Sequence, residues 1–365
     1  MPAFAIDPDI RRARSLPGEV YTSEAWFERM RDRVLSRTWH FAGDAEEIPT
    51  PGRVAPCTLL EQCLDEPLVL TRDAGGTLHA LSNVCTHRGN LVVQQAGDVE
   101  GLRCRYHGRR FALDGRFVSM PEFDGVEGFP SAGDDLARVP LGRLERLLFA
   151  SVAPAMSFDD LVAPLRAMLP PGTLSSLTFA PGRSRDYELA AHWALYCDNY
   201  LEGFHIPFVH PDLAAAVDYG SYRTELLRWG TLQVARAKDG EDAFEGGVAA
   251  YYAFLFPATM LNVYPWGLSL NVIRPRAVDR TVVSFLTYVR DPARLGRGAG
   301  ADLHAVEMED EAVVQSVQKG VRSRLYRAGR YSPTRETGVH HFHRLLAELV
   351  AGEDASVDPA RGARP

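Results

Sequence analysis

Two cysteine–histidine pairs, Cys85-Thr86-His87 and Cys104-Arg105-Tyr106-His107, lie sixteen residues apart and constrain this chain more than any other feature. Each pair sets one thiol and one imidazole within a few residues, so two short loops can clamp one shared metal centre. A structural zinc knuckle tends to repeat a single ligand type within each loop. Here both loops carry one of each. Gly89 follows the first pair and Gly108 follows the second. Loops that run close to a metal centre and turn N–H groups toward its sulfurs favour glycine.

A [2Fe–2S] centre in which two cysteines hold one iron and two histidines hold the other asks for this donor set. The spacing Cys-x-His-x16-Cys-x2-His resembles a Rieske iron–sulfur domain. One position departs from that pattern: ring-hydroxylating members usually carry tryptophan after the second His-Gly, and this chain has Arg109-Arg110-Phe111.

At 365 residues the chain is long enough for two domains. It carries 40 basic against 47 acidic residues and no long basic run, so nucleic-acid binding has no electrostatic support. The start, Met1 to Asp7, lacks the basic-then-apolar order of a secretory signal. The uncharged run Val248 to Val272 raises the membrane question, but Pro257, Asn262, Pro265 and Gly267 interrupt it. It reads as two buried strands joined by a turn, and no membrane attachment is expected. Cys57, Cys63 and Cys197 are expected to be free thiols in a reducing cytoplasm. Gly296, Gly298 and Gly300 lack the strand-then-helix setting of a dinucleotide fingerprint.

Trp26, Met30, Val34 and Leu35 recur at helical spacing behind Ser23 and predict a helix over 23–37. From His40 to about Ala150 short apolar runs alternate with Gly, Pro and Asp, predicting a small all-β unit that carries both metal loops. The prolines between Val162 and Gly172 mark a boundary, and helices are predicted over 305–327 and 338–350. In the last of these, His340, His341 and His343 read as a solvated face.

The next signal is Asp198-Asn199-Tyr200-Leu201-Glu202-Gly203-Phe204-His205-Ile206-Pro207-Phe208-Val209-His210. Pro207 lacks the N–H that would bond the Gly203 carbonyl, and a bend there would bring both imidazoles to one metal. An oxygen-activating iron needs three protein ligands on one face and open positions opposite, which two histidines and one carboxylate supply. In the predicted 305–327 helix, Asp310, Val314, Val317 and Val321 fall on one apolar face, with Glu307 a turn earlier and Glu309 and Glu311 pointing away. An inward aspartate must be paired or bound to metal. The other reading is that these acids favour the positive end of a helix.

Together these features resemble the α subunits of Rieske non-haem iron oxygenases over nearly the whole chain. The resemblance implies an α+β fold. Residues 1–39 would form an N-terminal helical segment packing on the catalytic domain, and 40–150 a small all-β Rieske [2Fe–2S] domain. Residues 151–351 would form a larger catalytic domain with a curved antiparallel sheet and helices, helix-grip-like, followed by a disordered tail over 352–365. Cys85, His87, Cys104 and His107 would hold the cluster, and His205, His210 and Asp310 a mononuclear Fe(II). The family implies a homotrimer in which the cluster of one subunit sits beside the iron of the next. An acid three residues before the first iron histidine, here Glu202, bridges the two centres; many members have aspartate there. Asn199 matches a position near the iron.

The substrates implied are dioxygen and a small organic molecule, to be hydroxylated, dihydroxylated or oxidatively demethylated. NAD(P)H electrons would arrive only through a separate reductase, with or without a ferredoxin. Arg109 and the Asp-Asn-Tyr-Leu-Glu-Gly-Phe-His string look closer to choline- and betaine-type members than to the naphthalene type. Tyr251, Tyr252, Phe254, Phe256, Tyr264 and Trp266 are pocket candidates, with sheet core the alternative for at least half. A Rieske electron carrier or a zinc-binding interaction module would explain the Cys/His loops and leave His205, His210 and Asp310 without a purpose.

Overall fold

The computed structural model describes residues 4–169 and 172–352. Of the tail predicted over 352–365, residues 353–365 lie outside the described residues, as do Pro170 and Pro171. The chain divides into two units, with breaks at Leu35/Ser36 and Ala155/Met156.

The unit over Ser36–Ala155 is built from short antiparallel strands. One sheet runs in the order Gly97–Asp98, Arg53–Leu59, Glu66–Arg72, Leu78–Ser82, Arg138–Val139. A second joins Leu102–Arg103, Arg110–Phe111 and Phe117–Ser119, and a third joins His40–Asp44, Leu147–Ala150 and Leu141–Leu144. Val54, Val69, Leu81, Val92, Leu102 and Phe111 form a core that reaches Cys85 and Cys104. Arg109 is 2% exposed in this unit. Its Nη2 donates to Asp134 Oδ1 at 2.6 Å, and its guanidinium carbon lies 5.0–5.7 Å from the ring centres of Phe111, Phe117 and Phe129. The Asp134 carbonyl also accepts from Thr86 Oγ1 at 2.8 Å, so the arginine ties the 131–135 segment to the first metal loop. Arg109 thus fills an aromatic slot as a flat, paired cation. Arg109→Met is expected to leave Asp134 without its cation and to lower stability by about 3 kcal/mol, read from urea unfolding.

In the second unit, α1 spans Glu24–Arg33, shorter than predicted, with a 3-10 turn over Leu35–Arg37, and Ser23 makes no side-chain cap bond. The boundary falls before the proline-rich stretch, whose first part, Val162 to Met168, is the C-terminal portion of helix α2, Phe158–Met168. Ser157 caps it, and the buried Phe158, Leu161, Val162 and Leu165 outweigh the one bond lost at Pro164. The sheet runs Thr178–Phe179, Arg280–Val289, Gly267–Ala277, Thr259–Tyr264, Val248–Leu255, Gly230–Ala237, Val217–Leu227, all antiparallel, with Arg185–Leu189 also pairing to Arg280–Val289. The 248–272 run therefore contributes to three strands rather than two. Both of its turns, at 256–258 and 265–266, are buried, which is why no polar residue announces them. No helix among the described residues is long and apolar enough to cross a membrane.

The remaining helices are α3 (Trp193–Tyr200), α4 (Ile206–Val209), α5 (Pro211–Ala216), α6 (Leu303–Gly320) and α7 (Thr337–Ala351). Helix α3 packs on α6 and α7, and α7 also lies on the strands Val217–Leu227 and Gly230–Ala237. The face of α7 expected to be solvated is not. His340 and His343 are 6% and 1% exposed, and His341 bonds the Leu227 carbonyl at 2.7 Å. Asp198 of α3 accepts from Tyr21 at 2.8 Å and meets His343 Nε2 at 2.8 Å, while Tyr331 meets His343 Nδ1 at 2.6 Å. Polar side chains from distant segments satisfy one another there, which makes their burial tolerable.

His192 caps α3, its Nδ1 accepting from the Ala194 N–H at 3.2 Å. It is fully buried, and burial pushes its pKa down to about 3. Above pH ~6.5 both folded and unfolded states carry this ring neutral, so it adds no pH dependence there. Below that, the unfolded chain takes a proton that the folded one refuses. Stability therefore falls with pH until the folded pKa near 3 is reached. His192→Asn, which can keep the cap, is expected to flatten the slope between pH 6 and 4 by up to about 1.4 kcal/mol per pH unit, measured by urea midpoints.

Candidate active site

The two Cys/His loops close in the same way. The Gly89 N–H donates to the Cys85 carbonyl at 2.9 Å, and the Gly108 N–H to the Cys104 carbonyl at 3.1 Å. Both glycines take left-handed φ, +73° and +76°, which side chains rarely adopt. Cys85 and Cys104 are buried and their thiols are neighbours, while His87 Nδ1 and His107 Nδ1 face each other at 3.2 Å on the outer side. Burial pushes the Cys85 thiol up. For Cys104, burial is outweighed by backbone N–H donors at Tyr106 and His107, the Cys85 thiol and the Asn90 amide, which draw it down toward the thiolate a metal needs. Burial and the nearby His107, Arg88 and Arg109 charges hold His87 low, in the neutral form that ligates. The sulfur pair inside and the imidazole pair outside fit a diiron cluster with unlike irons.

The second site lies where α3 ends, α4 and α5 follow, and α6 crosses. The predicted break is present: α3 stops at Tyr200, and a non-helical stretch precedes α4. The His205 and His210 rings stand 5.0 Å apart, and their Nε2 atoms lie 3.5 and 3.1 Å from Asp310 Oδ1. One donor atom from each of the three residues lies within 4.8 Å of the others, close enough for a single ion to gather all three. Two neutral nitrogens and one carboxylate on one side suit a divalent metal that keeps open positions.

Behind each histidine stands a carboxylate. Glu202 Oε1 meets His205 Nδ1 at 2.7 Å, and Glu309 Oε2 meets His210 Nδ1 at 2.7 Å. These bonds fix both tautomers so that the Nε2 atoms face Asp310. Glu202 Oε2 also accepts the Phe204 and His205 backbone N–H groups. Asn199 Nδ2 donates to Asp310 Oδ1 at 2.5 Å. Burial disfavours charge on His210, but Asp310 and Glu309 outweigh it and leave its pKa raised. The site thus attracts positive charge.

Glu309 was expected to point away; it does not, and the predicted face of α6 is displaced. The buried stripe is Glu307, Glu311, Val314, Gln318 and Val321, whereas Val317 is 42% exposed. The stripe carries polar side chains because other elements answer them: Tyr196 donates to Glu307, and Gln318 bonds the His192 N–H and the Tyr21 carbonyl.

A cavity of about 690 Å³, mouth included, opens on His205, His210 and Asp310. Its sheet wall comes from one cross-strand row, Gln233–Tyr252–Asn262, with Tyr222, Tyr264, Asn271 and Phe285 beside it. Of the six aromatic candidates only Tyr252 and Tyr264 line it. Phe254, Phe256 and Trp266 are buried core, and Tyr251 packs on Phe244. Tyr196, Tyr200 and Glu307, which the sequence did not single out as pocket residues, complete the wall.

Residues 38–130 match the Rieske [2Fe-2S] domain, and residues 177–352 the catalytic domain of ring hydroxylating alpha subunits. The chain is 30% identical to the chloroplastic choline monooxygenase of Arabidopsis thaliana, over 93% of this chain and 84% of that protein. It is also 30% identical to the carnitine monooxygenase oxygenase subunit of Escherichia coli K12, over 95% and 96%. A solved quaternary ammonium Rieske monooxygenase superposes with a TM-score of 0.79 at 23% identity, covering 95% of this chain and all of that one, which supports the fold alone. The protein is a Rieske non-haem iron oxygenase α subunit, pairing a [2Fe–2S] domain with a catalytic mononuclear iron domain.

Proposed function

We propose that this oxygenase hydroxylates or oxidatively demethylates a small N-methylated organic cation of the quaternary ammonium or N-methyl amine class. The observation that carries the reading is the cavity lining: five tyrosines, three carboxylates and no lysine or arginine among its described residues. Aromatic faces suit N-methyl cations, whereas an aromatic acid would find no base for its carboxylate. The choline-oxidising relative supports the same class, and the carnitine-oxidising one supports its quaternary ammonium group.

When bound, the [2Fe–2S] cluster supplies single electrons and the ferrous iron a place for dioxygen. In this reading Cys85, His87, Cys104 and His107 hold the former, and His205, His210 and Asp310 the latter. Glu202 and Glu309 orient the iron histidines, and Asn199 restrains Asp310. The tyrosine wall excludes water from the substrate. A separate reductase, with or without a ferredoxin, brings NAD(P)H electrons, since the chain carries no dinucleotide fingerprint. The active form is a homotrimer, in which Glu202 links His205 to His107 of the partner subunit. The setting is the cytoplasm, where its cysteines stay reduced.

Oxygen consumption with a surrogate reductase, across quaternary amines, N-methyl amines and simple aromatic acids, tests the proposal. Substrate-dependent uptake with formaldehyde or a hydroxylated amine as product is expected from the first two groups only. Coupled turnover of an aromatic acid, with none from any amine, would remove the reading.

A further inference from the structure

We propose that Glu307 is the counter-charge that makes this cavity select a net cation over a neutral or zwitterionic molecule of the same shape. The inference rests on the N-methylated substrate reading above and adds the residue that enforces it.

Glu307 sits one helical turn before Asp310 in α6, on the same side, lines the cavity and is 1% exposed. Tyr196 donates to its Oε2 at 2.6 Å and holds the carboxyl in place. Its Oε1 is enclosed and meets no donor among the described residues. A buried carboxylate oxygen left this way is costly unless something else comes to it. The other two carboxylates of the lining are already engaged. Asp310 faces His205, His210 and Asn199, and Glu202 holds the His205 ring and two backbone N–H groups. Glu307 alone offers negative charge with no positive group to answer it.

Burial pushes the Glu307 carboxyl well up, against the pull of the Tyr196 hydroxyl. A cation seated beside it reverses that balance and stabilises the ionised form. The other tyrosines of the lining cannot supply or accept charge themselves. Burial pushes the phenols of Tyr200, Tyr252 and Tyr264 up, so these lining rings stay neutral, and neutral aromatic rings suit a cation. A neutral isostere gains the same apolar contact and leaves the carboxyl unanswered. A zwitterion brings a second carboxylate into a lining without lysine or arginine.

Anaerobic titration calorimetry on the iron-loaded holoenzyme tests this with three probes: choline, its neutral isostere 3,3-dimethyl-1-butanol, and glycine betaine. Wild type is expected to bind choline at least about tenfold more tightly than the other two. Glu307→Gln is expected to weaken choline by a similar factor of about ten or more and leave the neutral alcohol unchanged, while Glu307→Asp keeps the preference. A Glu307→Gln protein that retains the choline-to-alcohol ratio overturns the role of Glu307 and leaves the N-methylated class standing. Wild type that binds no amine in this or a wider N-methyl panel overturns both. Should Glu307→Gln lose its cluster absorbance and fail to fold, wild type binding the alcohol or betaine as tightly as choline is the overturning result.

Discussion

Asp310→Ala is expected to empty the mononuclear iron site while the [2Fe–2S] cluster stays in place. Asp310 offers the single charged donor between two imidazoles, 3.1 Å from His210 Nε2 and 3.5 Å from His205 Nε2, and Asn199 holds it there. Without it a divalent ion keeps two neutral nitrogens and no anion to offset its dehydration. The carboxylates behind the histidines cannot substitute, because each is bonded to the far side of its ring. Losing a group behind a ligand costs roughly 10–100-fold in metal affinity or activity, and losing the ligand itself should cost more. Iron per acid-labile sulfide should fall from about 3:2 to about 2:2, with the reduced-cluster EPR signal intact and substrate oxidation lost. Full iron retention would move the third ligand elsewhere, and loss of sulfide with the iron would mean the variant had simply unfolded.

Glu202→Ala is expected to behave oppositely, keeping both metals and losing most turnover. Glu202 performs two local tasks, setting the His205 tautomer through Oε1 and receiving the Phe204 and His205 N–H groups on Oε2. In the proposed trimer it performs a third, as the hydrogen-bonded link to His107 of the partner subunit. Glu202→Gln keeps one oxygen for the backbone N–H groups but sets an NH2 donor against His205 Nδ1, so it spares the backbone bonds while removing the charge and the acceptor at the ring. Reoxidation of the pre-reduced cluster, followed by stopped-flow after mixing with oxygen and substrate, should slow at least about tenfold in Glu202→Ala at unchanged iron content. Normal oxidation in Glu202→Ala would refute the bridging role.

The parts of this protein that were legible in its sequence are those where chemistry is packed into short spans. Cys85 to His107 lies on two local loops, so ligand type and glycine placement survive into the fold unchanged. His205 and His210 belong to one segment whose break follows from Pro207 and the end of α3. Asp310 lies beside a face that apolar spacing places one step off: the spacing favours Val317, which faces outward, over Gln318, which faces inward. Hydrophobic periodicity cannot register a buried polar stripe whose partners, Tyr196, Tyr21 and His192, come from elsewhere in the chain. Glu309 went unseen for the same reason, since its partner His210 is far off in sequence. The α7 histidines looked like a wet face because imidazole is polar, and nothing local reveals that Asp198, Asp7 and Leu227 await them.

The knot formed by Tyr21, Asp198, His343 and Tyr331 bears on anyone wishing to make this enzyme smaller. The residue immediately before Asn199 is gripped by side chains 177 and 145 positions away, so trimming back past Tyr21 or short of His343 loosens the helix that aims at Asp310. A minimal fragment cut from the central sheet would lack that grip. Purification tags and fusion partners are better placed outside these two anchor points than spliced between either anchor and the helix they steady.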